Sequence, residues 1–338
     1  MDQDRLCGFR TSVAGCIVVL NLLFAAGCPS KAPHDKNQSS AASSPPPTTN
    51  NRQSAIKDEQ RTTNNEQPAA IAYRCKVVRT YPHDPQAWTQ GLAYENGILY
   101  EGTGLYGQST LIKRNLETGE VLKIERLPPK YFGEGITVFG DRIIQLTWKS
   151  QTGFAYDKNT FRLLREFSYR GEGWGLTHND KQLIMSDGTA TLRFLDPNTF
   201  AETRRITVRD EGRPINDLNE LEFIPDETEL SSQLTVPSSQ SPANSQPTTD
   251  NRQLARGSHG SIFANIWYSD SVVAIDPETG RVTGRLDLSA LYPRPYGSEA
   301  VLNGIAFLPQ SRHLLVTGKL WPRIYEIELS PPPEGGQR

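Results

Sequence analysis

The sequence contains few of the residues that build disulfide frameworks and histidine metal centres. Its 338 residues include 4 cysteines and 5 histidines. Cys7 and Cys16 lie in an N-terminal apolar segment. If Cys28 is modified, only Cys75 is left, and one cysteine cannot form an internal disulfide. The histidines show no metal-ligand spacing. The sequence therefore predicts neither an internal disulfide nor a histidine metal site.

An excess of either charge is also absent. The chain has 36 Lys and Arg residues against 38 Asp and Glu, and its formal net charge is −2. A basic surface for nucleic acid, or a strongly acidic surface, would require a larger imbalance. We therefore expect no nucleic-acid partner.

The N-terminus lacks an apolar run long enough to span a bilayer. Residues 13–26 are apolar but too few, two arginines precede them, and small residues lead into Cys28. This pattern is typical of a bacterial lipoprotein signal, cleaved before Cys28 so that the cysteine carries lipid. Ala25 stands where leucine is usual, and the alternative is an ordinary signal peptide with an incidental cysteine. Residues 1–27 thus predict an exported, periplasmic lipoprotein that is anchored to a membrane through Cys28.

Three segments have too few apolar residues to form a packed core. Residues 28–72 and 225–260 are rich in Ser, Pro, Thr, Asn and Gln, and residues 332–338 form a short polar tail. Such segments bury too little surface to offset the entropy of ordering them. We predict a disordered tether, a disordered loop insertion and a tail around one folded domain, residues 73–331.

The folded part is repetitive. A variable residue, usually followed by Gly and then by Leu or Ile, begins a short apolar segment; successive copies lie 44, 40, 45 and 84 residues apart. The last interval contains the insertion and shortens to about 50 residues without it. The variable residues of the five copies are Gln90, Glu134, Trp174, Asn219 and Asn303. An Asx-type turn motif repeats in phase, beginning at Asn115, Asp157, Asp196 and Asp276.

Each repeat contains four strand candidates. In the first repeat they are Leu92–Tyr94, Ile98–Glu101, Thr110–Asn115 and Val121–Arg126. Four strands per repeat of this length predict an all-β fold, a five-bladed β-propeller with four-stranded antiparallel blades. The last copy has only three strands, and the N-terminal segment Cys75–Tyr81 is available to close that blade. A β-sandwich is the alternative, but it would not explain two motifs in phase.

The innermost strands of a propeller line its central channel, so equivalent residues of the repeats face one another. The variable positions are mostly polar, and buried polar groups require partners. Their convergence predicts a pocket at one mouth of the channel, although a water-filled channel with satisfied polar walls fits equally well. The tryptophans favour a pocket, because all five fall at blade ends and could form an aromatic cage there. They are Trp88, Trp148, Trp174, Trp267 and Trp321.

Several segments, taken in order, resemble one enzyme family. They are FGEGIT, LTWK, GWGLTHN, LNELEF, ANIWYSD, LNGIAF and TGKLWP. The chain resembles the plant-type and bacterial-type glutaminyl cyclases over residues 75–328, apart from the insertion after Ile224. The resemblance implies a five-bladed propeller that needs no metal and no cofactor. It also implies peptide or protein substrates whose N-terminal glutamine is converted to pyroglutamate with release of ammonia.

The same resemblance implies roles for individual residues. Glu134 is the expected catalytic acid and proton shuttle, with Lys319 and Asn219 as further catalytic groups. The chemistry fits these types, because a carboxyl can carry a proton from the attacking amine to the leaving nitrogen. Burial should raise the pKa of Glu134 and Lys319 should oppose that shift. The expected substrate-binding residues are Gln90, Trp88, Phe132, Trp148, Trp174, Trp267 and Asn303, of which Trp88 departs from the Phe expected in the family.

Two other functions remain open on the sequence alone. A non-catalytic periplasmic lipoprotein could use the same propeller as a scaffold. A metal-dependent propeller lactonase could hold a divalent ion through Glu134, Asn219 and Asn303. Another carboxylate, Glu101, is expected to be structural. A ring closed by its own N-terminal strand predicts a monomer.

Overall fold

The computed structural model describes residues 69–226, 260–293 and 298–332. These residues form 22 β-strands and no helix, so none of them belongs to a helix that could cross a membrane. The all-β prediction is confirmed. The predicted signal peptide, Cys28, nearly all of the tether, residues 227–259 of the predicted insertion, and most of the tail lie outside the described residues.

Three groups of strands form separate four-stranded antiparallel sheets, each in sequence order. The first contains β2 (Thr89–Glu95), β3 (Ile98–Thr103), β4 (Thr110–Asn115) and β5 (Val121–Arg126). The second contains β6 (Gly133–Phe139), β7 (Arg142–Thr147), β8 (Thr152–Asp157) and β9 (Leu163–Ser168). The third contains β10 (Leu176–His178), β11 (Leu183–Ser186), β12 (Thr191–Leu195) and β13 (Glu202–Thr207). A small ribbon follows, made of β14 (Arg209–Asp210) and β15 (Arg213–Pro214).

The remaining strands form one eight-stranded sheet in the order β16-β17-β18-β19-β1-β22-β21-β20. Its first half contains β16 (Leu218–Ile224), β17 (Ser261–Ile266), β18 (Ser271–Ile275) and β19 (Val282–Asp287). Its second half contains β20 (Leu302–Leu308), β21 (His313–Gly318), β22 (Arg323–Ser330) and the N-terminal β1 (Ile71–Pro82).

The N-terminal strand joins the two halves. Residues 74–82 pair antiparallel with β22, as predicted for the closing segment Cys75–Tyr81. Residues 71–73 continue the strand and pair parallel with residues 284–286 of β19. The strand therefore begins at Ile71, two residues inside the segment predicted as a tether. The predicted boundary at residue 73 is too late, because Ile71 packs against a buried apolar cluster of the last two groups.

The first strands of the groups contact one another in a cycle. β2 contacts β6, β6 contacts β10, β10 contacts β16, β16 contacts β20, and β20 contacts β2. These strands are mostly buried, whereas the fourth strands β5, β9 and β13 are mostly exposed. The arrangement is propeller-like and directs the starts of the first strands to one end of the molecule.

The recurring glycine of the repeat allows the first strands to approach closely. A Cβ atom at Gly91 would lie 2.5 Å from the backbone nitrogen of Ile136, and one at Gly135 would lie 2.5 Å from the carbonyl oxygen of Trp174. Glu220 replaces this glycine in β16, and its buried carboxylate accepts from the N–H groups of Leu92 (3.2 Å) and Ile305 (2.8 Å). A side chain is therefore accommodated at only this copy of the motif, where it links β16 to β2 and β20.

The turn motif has the structure expected of Asx turns. Asn115, Asp157, Asp196 and Asp276 each accept, through a side-chain oxygen, the backbone N–H three residues later at 2.7–2.9 Å. Each turn joins the third strand of a group to the fourth. The repeated sequence motif thus fixes the outer hairpin of four groups.

Candidate active site

A pocket of 230 Å³ lies where the first strands begin. Second strands run antiparallel to first strands, so their ends reach the same place. Ten residues line the pocket: Trp88, Gln90, Phe132, Glu134, Trp148, Trp174, Asn219, Trp267, Glu299 and Lys319. Nine of these are residues predicted from the sequence, and Glu299 is the addition.

Gln90 and Glu134 lie at the starts of neighbouring strands, β2 and β6. Gln90 donates from Nε2 to Oε1 of Glu134 at 2.8 Å. Behind Gln90, Asn303 of β20 donates from Nδ2 to the Gln90 side-chain oxygen (3.0 Å) and to the carbonyl of Thr89 (2.9 Å). All three side chains are buried. The chain of hydrogen bonds fixes the carboxyl of Glu134 from one side.

Asn303 does not line the pocket, in contrast to its predicted role in binding substrate. It occupies the equivalent repeat position, but Gln90 lies between it and the cavity, because Asn303 hydrogen-bonds to both the side chain and the neighbouring backbone of Gln90. The structure therefore makes Asn303 a residue that positions Gln90.

Burial raises the pKa of Glu134 well above its ordinary value. The charge of Lys319 opposes this shift, and the charge of Glu172 adds to it. A carboxyl with a raised pKa accepts and returns a proton more readily near neutral pH than an exposed one does. The environment of Glu134 therefore suits proton transfer.

Lys319 lies in the turn after β21, on the pocket wall. Burial lowers the pKa of its ammonium, while Glu134 and Glu299 oppose that change. Its Nζ lies 5.5 Å from the centre of the Trp88 ring, within cation–π range. Glu134 and Lys319 form no ion pair among the described residues. A carboxyl and an ammonium thus line the same pocket without forming a salt bridge with each other.

Aromatic side chains form two sides of the pocket. Phe132 and Trp148 meet edge to face with ring centres 5.5 Å apart, and Trp174 and Trp267 do so at 5.4 Å. Trp148 follows the second strand β7 and Trp267 follows the second strand β17, as expected for tryptophans at blade ends. Such walls complement a flat or aliphatic group.

Asn219 supplies another polar group to the pocket. Its side chain is buried, and its Oδ1 has no hydrogen-bond partner among the described residues. A buried amide oxygen without a partner is costly unless water or a ligand satisfies it. Asn219 therefore has capacity left to bind a ligand.

The sequence did not predict two further carboxylates, Glu299 in the pocket lining and Glu172 behind two of the lining tryptophans. Glu172 accepts from the indole nitrogens of Trp148 (2.7 Å) and Trp174 (3.0 Å), so it fixes both rings. Glu299 accepts from the hydroxyl of Tyr268 at 2.6 Å. Neither glutamate occupies the variable position of the repeat. The only signal for Glu172 was its place between two glycines directly before Trp174.

Trp321 is not part of the cage, which corrects the expectation that all five tryptophans meet at the mouth. It is buried in an apolar cluster of the last two groups, and its indole nitrogen donates to the carbonyl of Ala300 at 3.0 Å. Its ring contacts Tyr292 and Tyr325 instead of the pocket.

Glu101 has structural partners, as expected. Its buried carboxylate accepts from His83 Nε2 (2.9 Å), Thr89 Oγ1 (2.8 Å) and Arg114 (2.8 Å). Burial alone would raise its pKa, but the charge of His83, together with Arg114 and these hydrogen bonds, lowers that pKa to about 2. Among the described residues no group of three or more His, Cys, Asp or Glu side chains could hold a metal ion.

Comparison with known proteins identifies the family of this chain. The profile of the family described as glutamine cyclotransferase matches residues 51–231 and 243–329. The chain belongs to the glutamine cyclotransferase family. A curated glutaminyl-peptide cyclotransferase of Arabidopsis thaliana is 38% identical over 260 residues, which cover 75% of this chain and 71% of that protein. The crystal structure of Myxococcus xanthus glutaminyl cyclase matches with a TM-score of 0.63 and 35% identity, covering 78% of this chain and 99% of that one.

Proposed function

We propose that this protein is a glutaminyl-peptide cyclotransferase, built as a five-bladed propeller, in which Glu134 moves the proton that ring closure requires. The observation that carries the proposal is the buried carboxyl of Glu134, held by Gln90 in an aromatic-walled pocket that Lys319 also lines. Family membership and the relatives named above support the reaction.

The substrate's glutamine side chain must fold back toward its own amino group. The walls formed by Phe132 and Trp148, and by Trp174 and Trp267, would hold its methylene groups in this curled shape. When binding already holds the two reacting groups together, much of the entropy that ring closure requires is lost on binding and not in the chemical step.

In the reaction, the lone pair of the neutral α-amino nitrogen attacks the carboxamide carbon, and a carbon–nitrogen bond forms. Ionised Glu134 takes a proton from the attacking nitrogen and then gives it to the leaving amide nitrogen, which departs as ammonia. The carboxyl ends the cycle ionised, as it began. The raised pKa of Glu134 brings its proton affinity closer to that of both nitrogens.

The carboxamide oxygen becomes negatively charged when the tetrahedral intermediate forms. Lys319, Asn219 and Gln90 carry the donors that line the pocket around Glu134. Donors that are already in place stabilise such an oxyanion without reorganisation. We propose that this set replaces a metal ion in the reaction.

The test is ammonia release from a short peptide with N-terminal glutamine by residues 69–338. The wild-type domain should release ammonia, and Glu134→Gln should reduce kcat about 10²- to 10⁴-fold with an unchanged β-sheet circular dichroism spectrum. Near-wild-type turnover by a folded Glu134→Gln variant would refute the assigned shuttle. No release by the wild-type domain from any such peptide would instead favour a non-catalytic scaffold.

We also propose that the protein is exported, lipidated on Cys28 and held at a membrane as a periplasmic lipoprotein. The support is the N-terminal sequence: an apolar run followed by small residues, Cys28 and a polar tether. In a bacterial host the full chain should partition into detergent, and Cys28→Ser should abolish that partitioning. Equal partitioning of both chains would contradict lipidation at this cysteine.

A further inference from the structure

One sector of the pocket rim is aromatic, anionic and exposed. Trp267 and Tyr268 are 39% and 43% exposed, and their ring centres lie 4.7 Å apart in an edge-to-face arrangement. The hydroxyl of Tyr268 donates to Oε1 of Glu299 at 2.6 Å. Trp267, Tyr268 and Glu299 together form the rim sector.

The rim sector contains a carboxylate that forms no salt bridge with a described residue, although the buried ammonium of Lys319 lies close enough to interact with it. By contrast, Glu172, which accepts from the indoles of Trp148 and Trp174, has its Oε1 3.9 Å from Nζ of Lys149. Asp217 is also exposed here, and its carbonyl accepts from the backbone N–H of Trp267 at 2.8 Å. The rim sector therefore attracts positive charge.

The part of a bound peptide beyond its first residue has to extend out of the pocket along this sector. The polar groups Gln90, Glu134, Asn219 and Lys319 are buried at the bottom. Of the ten lining residues, only Trp267 and Glu299 are exposed rather than buried or half-buried. If the N-terminal glutamine occupies the buried part, as the proposed function requires, the next residue of the peptide lies beside Trp267 and Glu299.

We propose that the rim sector is a subsite for the residue that follows the N-terminal glutamine, and that it favours a lysine or arginine side chain there. A cation can lie against the aromatic rings of Trp267 and Tyr268 while its N–H groups donate to the carboxylate of Glu299. The Tyr268 hydroxyl holds the carboxylate beside the rings. This inference rests on the proposed function and adds a substrate preference to it.

The test compares kcat/KM for three peptide amides that differ only in the second residue: Gln-Lys, Gln-Gln and Gln-Glu. The wild-type domain, residues 69–338, should prefer lysine over glutamate by up to about fivefold, the upper limit expected for one partly exposed charge contact. The preference should shrink as salt is added, because the contact is accessible to solvent. In Glu299→Gln the lysine-to-glutamate ratio should fall toward one.

Two variants separate the subsite from a general charge effect. Tyr268→Phe keeps the ring but removes the hydroxyl that holds Glu299, so it should reduce the ratio part of the way. Glu166→Gln removes the same charge from the exposed outer strand β9 and should leave the ratio at its wild-type value.

The subsite is overturned if the lysine-to-glutamate ratio of the wild type is near one, or if Glu299→Gln leaves that ratio unchanged. In either case, ammonia release from all three peptides still supports the proposed function. A ratio that falls equally in Glu166→Gln also overturns it, since net charge alone would then explain the preference. No ammonia from any of the three peptides overturns the proposed function, and the subsite with it.

Discussion

Burial and a neighbouring charge shift the pKa of Glu134 in opposite directions. Burial disfavours the ionised carboxylate, and the ammonium of Lys319 favours it. The same pair acts on Lys319, whose pKa burial lowers and Glu134 raises. Each group therefore moderates the shift of the other, and removing one should change the titration of its partner.

Lys319→Gln should move the acidic limb of the kcat/KM profile to higher pH. The reason is that Glu134 must be ionised to accept the proton, and its pKa rises further when the ammonium is removed. The variant should also lose kcat through the missing oxyanion donor. The profile is measured as ammonia release between pH 5 and 9, a range of about 2 units on either side of neutral.

The matched control for this variant is Lys181→Gln. Lys181 is exposed in the turn between β10 and β11, at the far end of those strands from Trp174, so its loss should leave the acidic limb in place. An acidic limb that stays fixed in Lys319→Gln, or moves to lower pH, would show that Glu134 does not set it.

The sequence was sufficient to predict those pocket residues that occupy the variable position of the repeat. Gln90, Glu134, Trp174 and Asn219 occupy the variable position before β-strand residues that must line the axis, and each lines the pocket. Glu299 lies in the connection between β19 and β20, outside the repeat pattern. The roles of Asn303 and Trp321 depend on which neighbour stands between them and the cavity, and spacing along the chain does not encode that.

At the scale of strands, a buried cluster joins the first group to the last. His83 donates from Nδ1 to the carbonyl of Trp321 (2.6 Å) and from Nε2 to Glu101 on β3. Burial alone would lower the pKa of His83, but the charge of Glu101 and its hydrogen bond raise it above the ordinary value. The cluster thus links the strand that carries Gln90 to the turn that carries Lys319.

Glu101→Gln should lower the free energy of unfolding by about 3 kcal/mol near pH 6, because a pKa of about 2 lies well below that of an unfolded glutamate. The Glu101 contribution is fully present above the unfolded pKa of about 4.5 and is lost as pH falls toward 2. The His83 contribution has the opposite sign: it is present below the unfolded pKa of about 6.5 and is lost as pH rises. Urea unfolding at several pH values measures both trends.

Glu117→Gln is the control for that loss of charge. Glu117 pairs with Arg79 on the surface, with both side chains about half exposed, and such solvent-screened pairs contribute little to stability. If Glu117→Gln and Glu101→Gln proved equally destabilising, the buried cluster would not have the stabilising role assigned to it.

The N-terminal strand should be essential to the fold. β1 pairs with β22 along residues 74–82 and with β19 along residues 71–73, so its removal exposes two sheet edges. A chain that begins at residue 69 should fold cooperatively, whereas one that begins at residue 83 should aggregate or unfold at much lower urea concentration. Similar unfolding midpoints for both chains would contradict closure by β1.

The sequence was sufficient to predict this strand because the last repeat is one strand short. It did not indicate that β1 starts at Ile71, since the parallel pairing with β19 involves a neighbouring group that the repeat count does not address. The substitution of Glu220 for the recurring glycine was visible in the sequence. Its role was not, because the N–H groups it binds belong to β2 and β20, far away in the chain.

At the scale of the molecule, the insertion lies between two strands that pair with each other, β16 and β17. Ile224 of β16 pairs with Ser261 of β17, so the two ends of the insertion leave the sheet side by side. A short turn can join such ends. Deleting residues 228–256 should therefore preserve the circular dichroism spectrum, the unfolding midpoint and ammonia release by residues 69–338. Loss of folding after this deletion would show that the insertion is a structural part of the domain.

The central claim is that a buried carboxyl, and not a metal ion, carries out cyclisation. The measurement that tests it most directly is ammonia release from a glutaminyl peptide by the wild-type domain and Glu134→Gln, each with and without a strong chelator. We expect release that the chelator leaves unchanged and that Glu134→Gln reduces about 10²- to 10⁴-fold. Release that stops in chelator and returns with added divalent metal would contradict it, and would favour a metal-dependent site at the same mouth.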